Sequence, residues 1–405
     1  MFKHKKFCRG CFSMNIAEFL DLGIVPLAGG FLKKNEIKQE KKFPLKVYFC
    51  KRCGLVQILD VVDPSTLFKN YFYLSSVIKS LSEHFKKYTK YLEKNYLNKK
   101  SSKLLEFGCN DGVLLQYLKN KKAYGIDPSR NVSKIARAKG LKVWTDYFNQ
   151  KAARKILRKI GKVDVVTGSN VFAHVDDIHE IIKAAKIILK PEGVFIIEVH
   201  YLKDLLDKFQ YDTIYHEHLC YYSVSALKKI FSIENMKIID VIHLDMHGGG
   251  IRVVVADKSS ARQVRKSVSE FIKREKNIDL IKLKNFGIFC QQHKRKLVSL
   301  LKKIKQKNKK IVGYGAPGRG TILLNYCKIG INFLDYIVDV SPLRSGMLMP
   351  GVHVPIVFPQ VARKNPPDYF LLLAWNYASS IFEQEKKLVN KGVKFILPFP
   401  KIKII

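Results

Sequence analysis

Lys103-Leu-Leu-Glu-Phe-Gly-Cys-Asn-Asp-Gly-Val-Leu-Leu115 reads as an apolar strand, a turn through small residues and the start of a helical period. A strand that turns through Gly108, Asn110, Asp111 and Gly112 brings bare backbone close to a ligand at a helix N-terminus. Twenty-one residues after Glu106, Tyr124-Gly-Ile-Asp127-Pro128 reads as a second short strand ending in a carboxylate. An acid there is placed to bind a ribose diol. Together the two stretches point to an adenosine-type cofactor.

Around them the chain alternates strand and helix. Strands are expected over 104–107, 123–126, 142–145, 163–167 and 194–199, with helices over 113–119, 132–139 and 177–189. That rhythm predicts an α/β fold with a doubly wound parallel sheet. Strands over 238–244 and 250–255, joined through His247-Gly-Gly-Gly250, would complete it. A helix over 77–97 leads in, with Leu81, Phe85, Tyr88 and Leu92 on one face. Before it, Tyr71-Phe-Tyr73-Leu-Ser75-Ser76 is either packing for that helix or a lid over the next unit's site.

The first 70 residues carry Cys8-x-x-Cys11 and Cys50-x-x-Cys53. Four thiolates in two knuckles suit one tetrahedral Zn²⁺ in a closed structural site, the other reading being four unligated thiols. A unit this small needs the metal to fold. The other four cysteines stand alone in apolar or loop contexts, as buried thiols do.

Residues 258–310 are Lys-rich with helical period and predict a pair of bridging helices. A second Rossmann-like unit follows, opening on Gly313-Tyr-Gly315-Ala-Pro-Gly318, with Asp339 at the end of a later strand. Taken alone this is a dinucleotide fingerprint. With Arg319 in the turn it could equally cradle the diphosphate of a nucleotide-linked substrate. The expected division is a zinc-binding domain at 1–70, a cofactor-binding domain at 71–257, and a helical bridge with a Rossmann-like substrate domain at 258–405.

Chemistry is expected at Tyr215-His216-Glu217-His218, in the segment after the strand at 194–199. A histidine, an orienting carboxylate and a tyrosine hydroxyl make a proton-transfer set. A His-x-His metal site and a structural polar turn are the competing readings. Asn170, His174 and His200 follow strand ends on the same rim.

The 405 residues are 47% apolar, as in ordinary globular proteins, and too long for one core. No apolar run is long enough to span a membrane, and Met1–Cys8 lacks the apolar core of a signal peptide. A cytoplasmic protein, monomer or dimer, is expected. The net charge of +39 (73 Lys and Arg against 34 Asp and Glu) favours an anionic partner. Its Lys residues are spread along the chain without a nucleic-acid motif. A solvated basic surface with no nucleic-acid partner is therefore expected, one that would still draw in a diphosphate.

As an ordered set these motifs resemble one family, the three-domain sugar C-methyltransferases acting on nucleotide-linked 4-keto-deoxysugars. The set comprises the paired knuckles with Asp21-Leu-Gly-Ile-Val-Pro-Leu-Ala28 and Cys53-Gly-Leu-Val-Gln57. It continues with Tyr71-x-Tyr73-x-Ser75-Ser76, Glu106-x-Gly-Cys-Asn-Asp-Gly112, Tyr215-x-Glu-His218, His247-Gly-Gly and Val312-Gly-Tyr-Gly-Ala316. The resemblance implies a structural Zn²⁺ on Cys8, Cys11, Cys50 and Cys53. It implies a class I methyltransferase domain binding S-adenosylmethionine through Glu106, Gly108, Asn110, Gly112, Asp127 and Asn170. It also implies His218 as general base, beside Tyr215 and Glu217, with Tyr73, Asn170 and His174 lining the site. The expected reaction is C-methylation of a nucleotide-diphosphate 4-keto-deoxysugar, at C3 in preference to C5, with O-methylation the alternative. Outside the enzyme class, a zinc-knuckle nucleic-acid binder competes; within it, so does an NAD-dependent nucleotide-sugar oxidoreductase.

Overall fold

The computed structural model describes residues 2–68, 74–77, 79–118 and 121–405. Three larger sheets organise them, beside a two-stranded one that pairs Phe2–His4 with Asp60–Val62. In the first unit, β1 (Ile16–Pro26), β2 (Lys42–Cys50) and β3 (Val56–Ile58) form an antiparallel meander that begins and ends beside the two cysteine knuckles. Helix α1 (Lys79–Asn95) then buries Leu81, Phe85, Tyr88 and Leu92, the stripe expected from its period.

The central sheet is built from β4 (Lys103–Phe107), β5 (Lys122–Asp127), β6 (Val143–Thr145), β7 (Val163–Ser169) and β8 (Leu189–His200). Helices α2 (Arg130–Ala138), α3 (Gln150–Ile160) and α4 (Ile178–Ile188) connect them. Past β8, β9 (Cys220–Tyr221) leaves this sheet, α5 (Val224–Ile233) follows, and β10 (Met236–Leu244) and β11 (Gly250–Asp257) return as an antiparallel edge. The strand order is β10-β11-β8-β7-β4-β5-β6, with β4 to β8 parallel. Order reverses between β4 and β7. Ligands of open α/β sheets bind at the carboxyl ends of the strands at such a switch point.

Two local expectations fail. The stretch after Gly112 forms turns and one 3-10 turn, Leu115–Leu118, where a helix over 113–119 was expected. Val113, Leu114, Leu115 and Leu118 are all buried, so burial on every side replaces the one-sided stripe of a surface helix. Position 119 lies outside the described residues. Conversely, α3 was not anticipated, although Asn149 caps it by accepting from the Ala152 amide at 2.8 Å.

Helices α6 (Lys266–Arg274) and α7 (Leu280–Gln306) bridge to the third sheet. That sheet contains β12 (Ile311–Tyr314), β13 (Ile337–Val338), β14 (Ile356–Val357), β15 (Tyr369–Leu372), β16 (Lys394–Leu397) and β17 (Lys403–Ile404), and α8 (Gly318–Cys327) follows β12. Its order, β14-β13-β12-β15-β16-β17, is parallel except at β17 and reverses beside β12. It therefore repeats the logic of the central sheet.

The units share cores. Leu20 and Val47 of the first sheet pack in one cluster with Ile214, with Leu283 and Leu297 of α7, and with Ile322 of α8. At Gly287 in α7 the approach is so close that a Cβ would stand 2.6 Å from the Phe19 carbonyl. Strand β9 pairs antiparallel with β3, so the segment carrying Tyr215 to His218 is stitched into the first unit's sheet. The catalytic candidates thus sit where the three units meet.

Candidate active site

The two glycine turns are built alike. After β4, the Gly108 amide donates to Ile126 O at 2.8 Å, the Asn110 amide to Asp127 Oδ2 at 2.9 Å, and the Ser129 amide to Asp127 Oδ1 at 2.8 Å. After β12, Gly315 donates to Val338 O at 2.7 Å, Ala316 to Asp339 Oδ2 at 2.7 Å and Ser341 to Asp339 Oδ1 at 2.8 Å. They differ in what surrounds the acid. Arg344 lies 3.3 Å from Asp339, whereas burial shifts the Asp127 carboxyl above its usual range despite its two amide partners.

Glu106, at the end of β4, is fully buried. Burial and the charges of Asp127, Glu198 and Asp111 push its carboxyl well above the usual range, and Oε2 has no hydrogen-bond partner among the described residues. A buried, unsatisfied acceptor is costly. It fits a site completed by a ligand with a donor or cation, such as the methionine end of S-adenosylmethionine. The turn needs its glycine: Gly108 has φ +62°, and a Cβ there would lie 2.3 Å from Val171 Cγ2. Gly108→Ala is expected to lose about 1–3 kcal/mol from overpacking alone, read as a lower urea midpoint.

Ser75 and Ser76 lie on this turn. The Ser75 amide donates to Asn110 Oδ1 at 3.1 Å, and Ser76 bonds to Asp111, which also pairs with Lys139 at 2.9 Å. Ser75 and Ser76, within the stretch read as helix packing or a lid, are thus anchored to the glycine turn after β4. Tyr73, named with it, lies outside the described residues. Behind the rim, Glu198 accepts from His84 of α1 at 2.9 Å and from Arg252 Nε of β11 at 2.9 Å, and Arg252 stacks 3.8 Å over Tyr88. Burial opposes ionisation of Glu198, but these partners outweigh it and hold the carboxyl down at about 2. The network fastens α1 across the strand ends, and the Asn170 amide donates to Glu198 O at 2.8 Å.

His218 is buried at the junction. Its Nδ1–H donates to Thr213 O at 2.9 Å. A carbonyl only accepts, so the bond fixes the tautomer and leaves Nε2 as the proton acceptor. Burial, then the neighbouring His200 and His174, push its pKa well below the imidazole range, so the ring is neutral near pH 7. The Tyr215 ring lies 4.0 Å from it, His200 4.8 Å and His174 5.1 Å between centroids. Burial lowers His174 to about 4 and raises Glu217 to about 7, against an amide from Gly29. Tyr215, His174 and His200 are therefore gathered round His218, with Asn170 on the same rim. Glu217 does not orient His218 as expected: Thr213 O holds the ring, while Glu217 lies against Gly29 with Oε2 unpartnered among the described residues.

His216 turns away, donating to Pro44 O at 3.2 Å and meeting Phe43 edge-on. That geometry disfavours a His216–His218 metal site. The Asp21–Ala28 motif of the first unit ends at the same junction. Thr321 of α8 donates to Ala28 O at 3.1 Å, and a Cβ on Gly318 would meet the Ala28 Cβ at 3.2 Å.

Several residues here were not anticipated. Asp212, pushed up to about 6 by burial against the charge of Arg319, accepts from Trp375 Nε1 at 2.6 Å. Arg319 stacks over that indole at 5.2 Å. Tyr211-Asp-Thr213 is a short polar run beside the Tyr215 motif, the one sequence signal that could have drawn attention to it.

The four sulfurs of Cys8, Cys11, Cys50 and Cys53 lie within 4.8 Å of one another, with Cys8–Cys53 at 3.6 Å and Cys11–Cys50 at 3.5 Å. Four zinc–sulfur bonds of 2.3 Å in a tetrahedron place sulfurs about 3.8 Å apart, so the cluster fits the metal.

Family models match in the same order along the chain: a zinc binding domain at residues 8–68, a methyltransferase domain at 80–241 and a C-methyltransferase C-terminal domain at 245–400. C-methyltransferase NovU of Streptomyces niveus is 32% identical over 404 residues, covering 98% of this chain and 96% of that protein. The chain belongs to this C-methyltransferase family. It is an S-adenosylmethionine-dependent C-methyltransferase with a four-cysteine zinc-binding unit. The ubiquinone biosynthesis O-methyltransferase of Pelagibacter ubique is 33% identical over 102 residues, 24% of this chain and 42% of that enzyme. Among solved structures, the PH0226 protein from Pyrococcus horikoshii aligns over 49% of this chain and 97% of its own, with TM-score 0.36 and 14% identity. Among the described residues, no helix of this C-methyltransferase is long and apolar enough to cross a membrane.

Proposed function

We propose that this C-methyltransferase methylates C3 of a nucleotide-diphosphate 4-keto-deoxysugar in the cytoplasm, with His218 as general base. The observation that carries the reading is the fixed tautomer of His218, a neutral imidazole with Nε2 free to accept, packed against His174 and His200 at the carboxyl ends of the strands, the edge where Asp127 ends β5. Glu106, Gly108, Asn110, Gly112, Asp127 and Asn170 would hold S-adenosylmethionine, Asp127 at its ribose. Once bound, it supplies an electrophilic methyl group on a sulfonium.

The 4-ketone acidifies the neighbouring C–H. His218 Nε2 takes the C3 proton, and the electron pair moves onto the C4 oxygen. Tyr215, with His174 beside it, donates to that developing oxyanion. The nucleophilic C3 then has its partner methyl in reach, and the proton passes from His218 to solvent. The first unit's Ala28–Gly29 turn lies between Glu217 and α8 at this junction.

Because the base is held neutral, kcat/KM is expected to stay high as pH falls through 6.5, where an ordinary histidine would protonate. Its acid limb lies well below that value, and a profile centred at 6.5 would count against His218 as base.

The diphosphate is read by the Gly313–Gly318 turn and Arg319, which the Asp212–Trp375 pair holds at the junction. Arg319→Ala is expected to raise KM for the nucleotide sugar by about 10–100-fold with kcat little changed, since a charged partner contributes roughly 1.5–3 kcal/mol. The test of the function is mass spectrometry after incubation with S-adenosylmethionine and a panel of nucleotide-linked 4-keto-deoxysugars. A gain of one methyl on carbon is expected; methylation on oxygen, or none across the panel, would reject it.

A further inference from the structure

Arg9 stands between the two cysteines of the first knuckle and is 2% exposed. Its Nη1 donates to Leu219 O at 2.8 Å and its Nη2 to Ile58 O at 2.7 Å. Nε and Nη2 each lie 3.4 Å from Asp176 Oδ1, and Gln57 Oε1 receives the Arg9 amide at 3.1 Å. Leu219 follows His218 directly, and its carbonyl also accepts the Ile58 amide at 3.0 Å, where β9 joins β3. Asp176 lies two residues past His174. One planar fork, set by the zinc knuckle, therefore grips the backbone beside His218 and the carboxylate beside His174. Those two rings stack at 5.1 Å. The approach is tight: a Cβ on the adjacent Gly10 would meet Ile230 and Leu55 at 3.0 Å.

We propose that Arg9 is a positioning residue for the proton transfer, through which the metal-bound knuckle sets the separation and orientation of His218 and His174. The proposal rests on His218 being the base. Arg9 touches no reacting atom. Its planar array of donors spans two carbonyls and a carboxylate, a span that the single ammonium of lysine cannot reproduce. The knuckle is thus part of the catalytic architecture as well as of the fold.

The test is Arg9→Lys in the full, zinc-loaded chain. Bound zinc and both KM values are expected to match wild type. Turnover and substrate C–H exchange are expected to fall together by about 30–100-fold, as displacements near 1 Å do. Nitrogen-15 histidine spectra without substrate are expected to show the His218 and His174 signals moving while His293, remote from Arg9, stays. Unchanged turnover with zinc retained, or unchanged signals for both rings, would overturn the proposal. Should Arg9→Lys not fold, Asp176→Asn, which keeps both carbonyl bonds, decides: about a 5–10-fold loss of kcat at constant KM supports it, and wild-type kcat overturns it. A wild-type enzyme that transfers methyl without any C–H exchange would reject the base assignment, and with it this role. Wild-type exchange equalled by Arg9→Lys rejects the role alone.

Discussion

His218→Asn is expected to lower kcat by about 10²–10⁴-fold, the range typical of a positioned general base. The asparagine amide can still donate to Thr213 O, so the buried carbonyl that His218 satisfies keeps a donor. What is lost is Nε2, the acceptor proposed for the substrate proton. S-adenosylmethionine affinity, measured calorimetrically, should stay near wild type because Glu106 and Asp127 lie on other strands. Loss of turnover together with cofactor binding would point instead to collapse of the junction. Wild-type turnover would remove His218 from the mechanism.

Removing the metal is expected to have the largest effect on stability. Structural zinc in small units contributes roughly 10–16 kcal/mol of apparent binding free energy at neutral pH. The first unit has one small meander of its own, and its two knuckles, although packed into the shared core, close on each other through the four sulfurs. Strand β9 pairs with β3, and His216 donates to Pro44 of β2, so loss of this unit frees the catalytic segment as well. Dialysis against a chelator should abolish activity and add an early thermal transition in circular dichroism, both restored by Zn²⁺. A chelated protein that keeps the wild-type melt would show that the four thiols hold the unit without metal.

The parts legible in the sequence are those whose chemistry is local. Gly108, Asn110 and Gly112 announce a turn because their left-handed backbone favours such residues, and Asp127 declares itself by ending a short strand. The four cysteines carry their own spacing. What the sequence left hidden is long-range. Nothing in Cys220–Tyr221 says that two residues leave the central sheet to pair with β3. Arg9 reads as a solvated charge in a basic chain, yet it is buried against carbonyls 49 and 210 residues away. Asp212 meets Trp375 across 163 residues. Helix α3 was missed because its Lys and Arg content obscures a narrow apolar stripe of Ala152, Ala153 and Ile156. The helix expected after Gly112 failed for the opposite reason, being apolar on every side.

The most direct measurement is hydrogen exchange at the substrate carbon. Wild-type enzyme would be mixed in D₂O with S-adenosylhomocysteine and a nucleotide-linked 4-keto-deoxysugar that it methylates, and the sugar examined by proton NMR. The enolate mechanism predicts deuterium at C3 that is absent with His218→Asn. Methyl transfer by an enzyme that leaves every substrate C–H unexchanged would contradict it.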